Sequence, residues 1–470
     1  MSKQGRKKIN ISKKTIISTI TIPECSLPVV EEADIVVIGG GTSGFIASIA
    51  AARTGAHTIL VERWGYVGGA FTSTYCTEPG HFGDSNGNQI INGIGWELME
   101  QLEQAGAAII DRDAWKVQIF PETVKAIALE MVINAGVKLY LHCWASDLII
   151  ENGVIQGLIV QSKSGREVIR GKVFVDATSD ADIAFLAGTP IEQLDSDKTW
   201  QTSVDLSVCN VDPVKLLKWA DEHDDEILVG EIPELRDEYS GIHPMFNCVI
   251  PGEDTELIPG KSGLIHKGPM PTVKLLIHRS ISRVQGSVEI DGTDVRNITY
   301  AEIEGRSRAM EHLAYLKENV PGYEDAIIIG ASYLGVRETR RISGDYMIKL
   351  NDVLNNARFS DVIALNCRGL DRHLKGEIFE ITYLKGNHDI PYRALIPQKV
   401  ENLLVAGRCI SCDHDAHASV RGAATCLATG HAAGTAAALA SKGSGKVREI
   451  DIKDLQQTLR EQNAILETNN

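Results

Sequence analysis

The hydrophobic pattern begins with short, wholly apolar runs set between glycine turns. Ile35-Val-Val-Ile38 reads as a buried strand, Gly39-Gly-Gly-Thr-Ser-Gly44 as a tight turn, and Phe45-Ile-Ala-Ser-Ile-Ala-Ala-Ala-Arg53 as a helix of small apolar residues. A second apolar strand, Thr58-Ile-Leu-Val, ends on Glu62. Gly136–His142 predicts another strand. Asp147–Ile150, Val154–Val160 and Glu167–Ile169 then predict a β-ribbon, with Asn152-Gly153 as its hairpin turn. Further strands are expected at Lys172–Asp176 and Glu401–Ala406. Tyr300–Glu318 is patterned as a helix, and Val420–Ala440 as a buried one whose Gly430 and Gly434 permit close packing. Thr15–Ile22 alternates Thr/Ser with Ile and predicts a short edge strand.

Gly39, Gly41 and Gly44 occupy the positions of a GxGxxG turn. The first permits the turn, the second lets backbone approach a pyrophosphate, and the third lets helix and strand pack closely. With Thr42 and Ser43 they form a helix N-terminus, where unpaired N–H groups favour negative charge. Glu62 is placed to accept hydrogen bonds from the hydroxyls of an adenosine ribose, and its charge argues against a 2′-phosphate there. The dinucleotide expected is FAD. A nicotinamide domain would continue into another plain βα unit, whereas Arg63-Trp-Gly-Tyr-Val-Gly-Gly-Ala70 is a glycine-rich loop able to drape over a pyrophosphate and flavin. Arg63, Gly68, Gly69 and Ala70 join the expected cofactor contacts.

This Glu-(x)n-Gly-Gly arrangement resembles the glutathione-reductase-like FAD superfamily. Lys172-Val-Phe-Val-Asp-Ala-Thr-Ser-Asp180 resembles its second nucleotide strand and turn, with Ser179 where glycine is usual. The resemblance implies cofactor contacts from Ala145, Asp176, Ala177, Gly407 and Arg408. Many relatives carry Asp at the last position, which leaves Asp413 as a substitute. Gly335-Val-Arg-Glu-Thr-Arg-Arg-Ile-Ser-Gly-Asp345, Ile390–Pro397, Ala406–Ser411 and Arg421 through Ala437 look like the FAD-dependent oxidoreductase family related to the heterodisulfide reductase flavoprotein. The resemblance implies an α/β fold: a discontinuous Rossmann-like FAD-binding domain with an inserted β-ribbon, and a mixed α+β substrate or cap domain. The expected divisions are an extension over 1–29, nucleotide domain at 30–195 and 335–445, cap at 196–334, and a peripheral helix at 446–470. Within the cap, Ile242–Pro271 reads as a Pro- and Gly-rich loop and Asp221–Glu226 as an acidic patch.

The 470 residues carry a net charge of −15, which disfavours nucleic acid and anionic membranes as partners. The basic, polar N-terminus lacks a signal-peptide core, so a cytoplasmic protein is expected. A small-molecule substrate is the expected partner; a homo-oligomer stays open. Nine scattered cysteines give no disulfide framework and no iron–sulfur cluster, so the electron-relay role is not carried over from the resemblance. Cys409-Ile-Ser-Cys412 is a CxxC, but no metal is expected there.

A flavin takes up hydride, and a cation near its pyrimidine edge eases reduction. Arg421 is the candidate, at the expected start of the C-terminal helix. His414 suits a general acid or base, or a backbone cap; His417 is a weaker candidate. Arg337 and Arg341 would share one side of a strand and could clamp a carboxylate, or else pair with Glu338 or Asp345. Tyr392 with Arg393 is either pocket-lining or buried with a satisfied hydroxyl. His81 and His388 complete the candidates. The activity expected is hydride transfer between flavin N5 and a small polar metabolite, with a carboxylate as one option; the alternatives are an electron-transfer subunit working with a protein partner and a non-redox FAD-binding protein.

Overall fold

The computed structural model describes residues 16–468, except 197, 201, 211, 213–214, 216–241, 248, 251–256, 261–262, 268–273, 280–289 and 374–378. The acidic patch at 221–226 lies outside the described residues.

The first apolar run forms strand β1 (Val29–Ile38), the glycine turn leads into helix α1 (Gly44–Arg53), and the second run forms β2 (Thr58–Val61). Ile35, Val36, Val37 and Ile38 are all buried, because the sheet is covered on both faces. Alternation then divides them. Ile35 and Val37 join the core containing Phe45, Ile46 and Ile49 of α1, while Val36 and Ile38 join Ile59, Val61 and Phe174 on the other face.

The main sheet runs in the order Lys138–Tyr140, β2, β1, Gly165–Asp176, Val154–Ser162, Trp144–Glu151. The first four strands are parallel; the last two close an antiparallel ribbon on the N-terminal half of Gly165–Asp176. Its hairpin turn is Asn152-Gly153, with φ of 50° and 77°, as a primed turn requires. Leu403–Val405, far along the chain, adds in parallel beside Phe174–Asp176. The α/β architecture with its Rossmann-like parallel sheet and ribbon is therefore present.

Helix Ala423–Lys442 packs along α1. A Cβ at Gly430 would lie 2.2 Å from the Ser43 carbonyl oxygen, and one at Gly434 would lie 2.0 Å from that of Ala47. Because 430 faces 43 and 434 faces 47, the helices run in the same direction. The first two turns of Ala423–Lys442 therefore overhang the start of α1 by about 10 Å. Gln462, past helix Ile452–Glu461, ties the C-terminal segment down through Thr54 of α1 and His431.

Three expectations on local structure need correction. Residues 16–28 form no strand, and Ile16, Ile17, Ile20 and Ile22 are exposed, with no ladder partner among the described residues. Residues 242–271 are not one loop: Leu257–Gly260 and Gly263–Lys267 are strands that pair with each other as a hairpin, and Ile242–Asn247 is a strand paired with Lys274–Arg279. Of Gly335–Asp345, only Arg341–Ile342 is a strand, paired with Ile191–Glu192. Among the described residues, no helix is long and apolar enough to cross a membrane.

Candidate functional site

The three motif glycines separate into two kinds. A Cβ on Gly39, whose φ is +92°, would fall 2.6 Å from the Ala177 oxygen, and one on Gly44 would fall 1.7 Å from the Gly39 oxygen. Both are glycine because the strand, the turn and Ala177 pack too closely for any side chain. Gly41 differs: a Cβ there would meet nothing nearer than 3.8 Å. Thr42 Oγ1 donates to the Gly68 oxygen at 3.2 Å and accepts from Ala70 N–H at 3.3 Å, holding the glycine-rich loop against the turn. Gly69 lies so close that its Cβ would strike Gly41 Cα at 2.6 Å. Ser43 Oγ donates to the Ala406 oxygen, and a Cβ on Gly407 would fall 2.5 Å from Ser43 Oγ. The turn, the glycine-rich loop and the far strand thus converge on one groove.

Glu62 is buried, and its two oxygens accept from Gly40 N–H at 2.5 Å and Trp64 N–H at 2.8 Å. Burial raises its pKa; these two N–H groups oppose the shift. Arg63 is exposed, its guanidinium 5.2 Å from the ring centroids of both Trp64 and Trp144. Ala145 sits beside Trp144 at the start of the ribbon strand.

Asp176 and Asp413 are not turned to a ligand. Asp176 is fully buried and accepts from the N–H groups of Thr178, Ile183 and Ala184 and from Thr178 Oγ1, so it caps helix Asp182–Leu186. Ser179, standing where glycine is usual, takes φ of +70°. Asp413 caps His414–Val420 through Ala416 N–H at 2.7 Å and also accepts from Leu350 N–H. Arg408 spends its charge on Asp180 and reaches Thr339 Oγ1 at 3.4 Å.

His414 opens the short helix His414–Val420. Its Nδ1–H donates to Glu338 Oε1 at 2.9 Å, and the Trp200 indole stacks on its ring with centroids 4.1 Å apart and planes 15° apart. Glu338 is buried and is also paired with Arg341, whose Nε–H donates to the Cys412 oxygen at 3.0 Å. The other Glu338 oxygen accepts from Trp200 N–H at 3.1 Å. The Trp200 indole N–H donates to His417 Nδ1 at 3.2 Å, and His417 Nε2–H donates to the Arg408 oxygen. His417 is fully buried; burial and the nearby arginines push it well below the usual imidazole range and keep it neutral.

At the other end of that helix, Arg421 closes it rather than opening the next; the break falls at Arg421-Gly422. Its Nη2 donates to the Asp371 carboxylate at 2.9 Å and to the Asp371 carbonyl oxygen at 3.1 Å. Arg368 reaches the same carboxylate oxygen at 2.5 Å, and burial lowers the Arg337 pKa against the opposing charges of Asp371 and Asp205. Burial pulls Arg421 down to about 10, with Asp371 opposing and the charges of Arg368 and Arg337 reinforcing the shift. The Nε–H groups of Arg368 and Arg421 are buried without an acceptor among the described residues.

Arg337 and Arg341 therefore do not form one clamp. Without a continuous strand to align them, Arg341 turns to Glu338, while Arg337 feels the charges of Asp371 and Asp205. Tyr392 is excluded from any pocket: it is buried in the core, and its hydroxyl donates to the Val447 oxygen at 2.8 Å. His388 is also buried, bonded to Asn366, and Arg393 pairs with Asp361. His81 stays exposed, next to Gly80, which faces Arg368. Cys409 and Cys412 are buried free thiols. Sequence reasoning missed Trp200, Arg368 and Asp371 as site residues. Arg368 and Asp371 stand three apart, yet nothing in the pattern tied them to Arg421.

This sheet, with its glycine turn and acid-ended second strand, defines a dinucleotide-binding enzyme of the α/β class. The family described as FAD dependent oxidoreductase matches residues 34–459, and the chain belongs to that family. No curated protein matches it. Among solved structures, a geranylgeranyl bacteriochlorophyll reductase-like protein from Thermoplasma acidophilum is similar at 14% identity, covering 92% of this chain and 82% of that one, with a TM-score of 0.42. A p-nitrophenol 4-monooxygenase from Pseudomonas putida is similar at 11% identity, with 92% and 85% covered and a TM-score of 0.42. A flavin-dependent brominase shows 14% identity, 92% and 84% coverage and a TM-score of 0.42. The chain is an FAD-dependent oxidoreductase, and the residues present fit that cofactor: the open space at Gly41 lies where a phosphate must approach backbone.

Proposed function

We propose that this oxidoreductase transfers a hydride between flavin N5 and a small polar metabolite carrying a carboxylate. The observation that carries this reading is the convergence of Arg368 and Arg421 on Asp371, with the Arg337 charge within electrostatic reach of all three. Like charges held together and partly desolvated are costly, and a bound carboxylate offsets that cost with charge-assisted hydrogen bonds. The cluster lies at the overhanging end of helix Ala423–Lys442, beyond the glycine turn, which suits the distal end of a bound dinucleotide.

Thr42, Ser43 and the Gly68–Ala70 loop would hold the pyrophosphate, and Glu62, with Arg63 and Ala145 nearby, the adenosine end. FAD supplies a two-electron acceptor at N5. The arginines orient the carboxylate, and His414 takes or returns the proton of the reacting hydroxyl or amine. Within the family, the Gly335–Asp345 and Ile390–Pro397 motifs are what favour a place in the glutathione-reductase-like FAD superfamily, near the heterodisulfide reductase flavoprotein.

Anaerobic titration of the flavin spectrum with hydroxy acids, amino acids and uncharged polyols tests this reading. Bleaching by one class of acid supports it, with Arg368→Met raising the required concentration by about tenfold or more and His414→Ala slowing reduction by about tenfold or more at full flavin content. Bleaching by polyols alone removes the carboxylate.

A further inference from the structure

We propose that Glu338 is the positioning residue for His414, and that with Trp200 it fixes the imidazole as the Nδ1–H tautomer with Nε2 open as the base. This deepens the proposed function, on whose assignment of His414 it rests.

Two contacts constrain the ring, and both partners are themselves held. Nδ1–H points at Glu338 Oε1, 2.9 Å away. The indole of Trp200 covers one face at 4.1 Å. Trp200 is itself held at two atoms, its backbone N–H by Glu338 Oε2 and its indole N–H by His417 Nδ1. The Glu338 carboxylate cannot swing, because Arg341 holds the same oxygen and is anchored to the Cys412 carbonyl. His414 Nε2 carries no hydrogen bond to any described residue, and the side chain keeps 30% exposure. Other charged groups nearby are Asp413 and Asp415 on the same helix, Arg372 beside Asp415, and Arg341 behind Glu338; buried His417 stays neutral.

Free histidine prefers the Nε2–H tautomer, which offers its lone pair at Nδ1. A carboxylate at Nδ1–H reverses that preference and stabilises the imidazolium formed on proton uptake. In the oxidative direction, FAD when bound would accept the substrate C–H hydrogen with its electron pair as hydride. The O–H proton moves to His414 Nε2, and the electron pair it leaves completes the C=O bond.

Two substrate-free readouts test the assignment in the holoenzyme. Ring 15N shifts of histidine-labelled protein should show His414 with Nδ1 protonated and Nε2 bare. Diethyl pyrocarbonate should modify His414 at Nε2 and spare buried His417. In Glu338→Leu/Arg341→Met, which replaces the ion pair with apolar groups of similar size, the tautomer should change to Nε2–H and modification should slow by about tenfold. Should that variant not fold, Glu338→Gln serves instead, with slower modification as the expected result. A wild-type Nε2–H tautomer, or variants identical to wild type in both readouts, would overturn the proposal. Neither readout uses a substrate, so failure here leaves the arginine site untouched, and failure of that site leaves this pair standing.

Discussion

Trp200 and His414 lie face to face, 4.1 Å between ring centroids, although 214 positions separate them in the chain and neither belongs to the parallel sheet. Trp200 is buried, so its replacement probes two contributions at once. Trp200→Ala should cost about 3–5 kcal/mol in urea unfolding through lost packing. Trp200→Phe keeps a stacking ring but strips His417 Nδ1 of its donor, for about 1–3 kcal/mol. Equal losses in the two variants would show that the hydrogen bond, and not the stack, dominates.

The buried pair Glu338–Arg341 should behave as a coupled unit. Glu338→Leu alone leaves a buried guanidinium, and Arg341→Met alone leaves a buried carboxylate; each should cost about 3–5 kcal/mol. The double variant should cost clearly less than their sum. Additive losses in a double-mutant cycle would argue that each partner is held by other groups.

Glycine substitutions should sort by what surrounds them. Gly41→Glu places its side chain in open space, so the protein should fold with stability within about 0.5 kcal/mol of wild type yet copurify without FAD. Gly430→Ala should fail differently, losing about 1–3 kcal/mol as α1 and its partner helix are forced apart. Absorbance for flavin and thermal melts for stability separate the two. Normal flavin content in folded Gly41→Glu protein would sink the groove assignment.

Stability should fall on mild acidification. Burial holds His388 and His431 at about 4, against 6.5 for the exposed group. The unfolded chain therefore binds more protons between those values, so the stability due to keeping these rings neutral is complete above pH 6.5 and is lost as pH falls toward 4. At roughly 3 kcal/mol for each histidine, melting temperature should be level above pH 7 and drop steeply below 6. A flat profile from pH 7 to 5 would contradict the buried, neutral state of both rings.

Local spacing was enough to determine the sheet and the glycine turn. Ile35–Ile38, the glycines at 39, 41 and 44, and Glu62 lie within 28 residues, and their packing follows from periodicity and the space a Cβ needs. Asn152-Gly153 and the Gly430/Gly434 spacing were legible for the same reason. The rest depended on partners distant in sequence. Arg341 read equally well as a substrate clamp or as a partner of neighbouring Glu338 until the Cys412 carbonyl and Trp200 fixed that pair in place, and Tyr392 as pocket-lining until Val447 met its hydroxyl. Asp176 has the composition of a ligand contact, yet three backbone N–H groups claim its carboxylate. Sequence determined where backbone must come close to a nucleotide, because that depends on backbone shape and small residues. Tertiary structure decided which charges remain available to a substrate, because a long polar side chain spends its hydrogen bonds on whichever partners the fold places within reach.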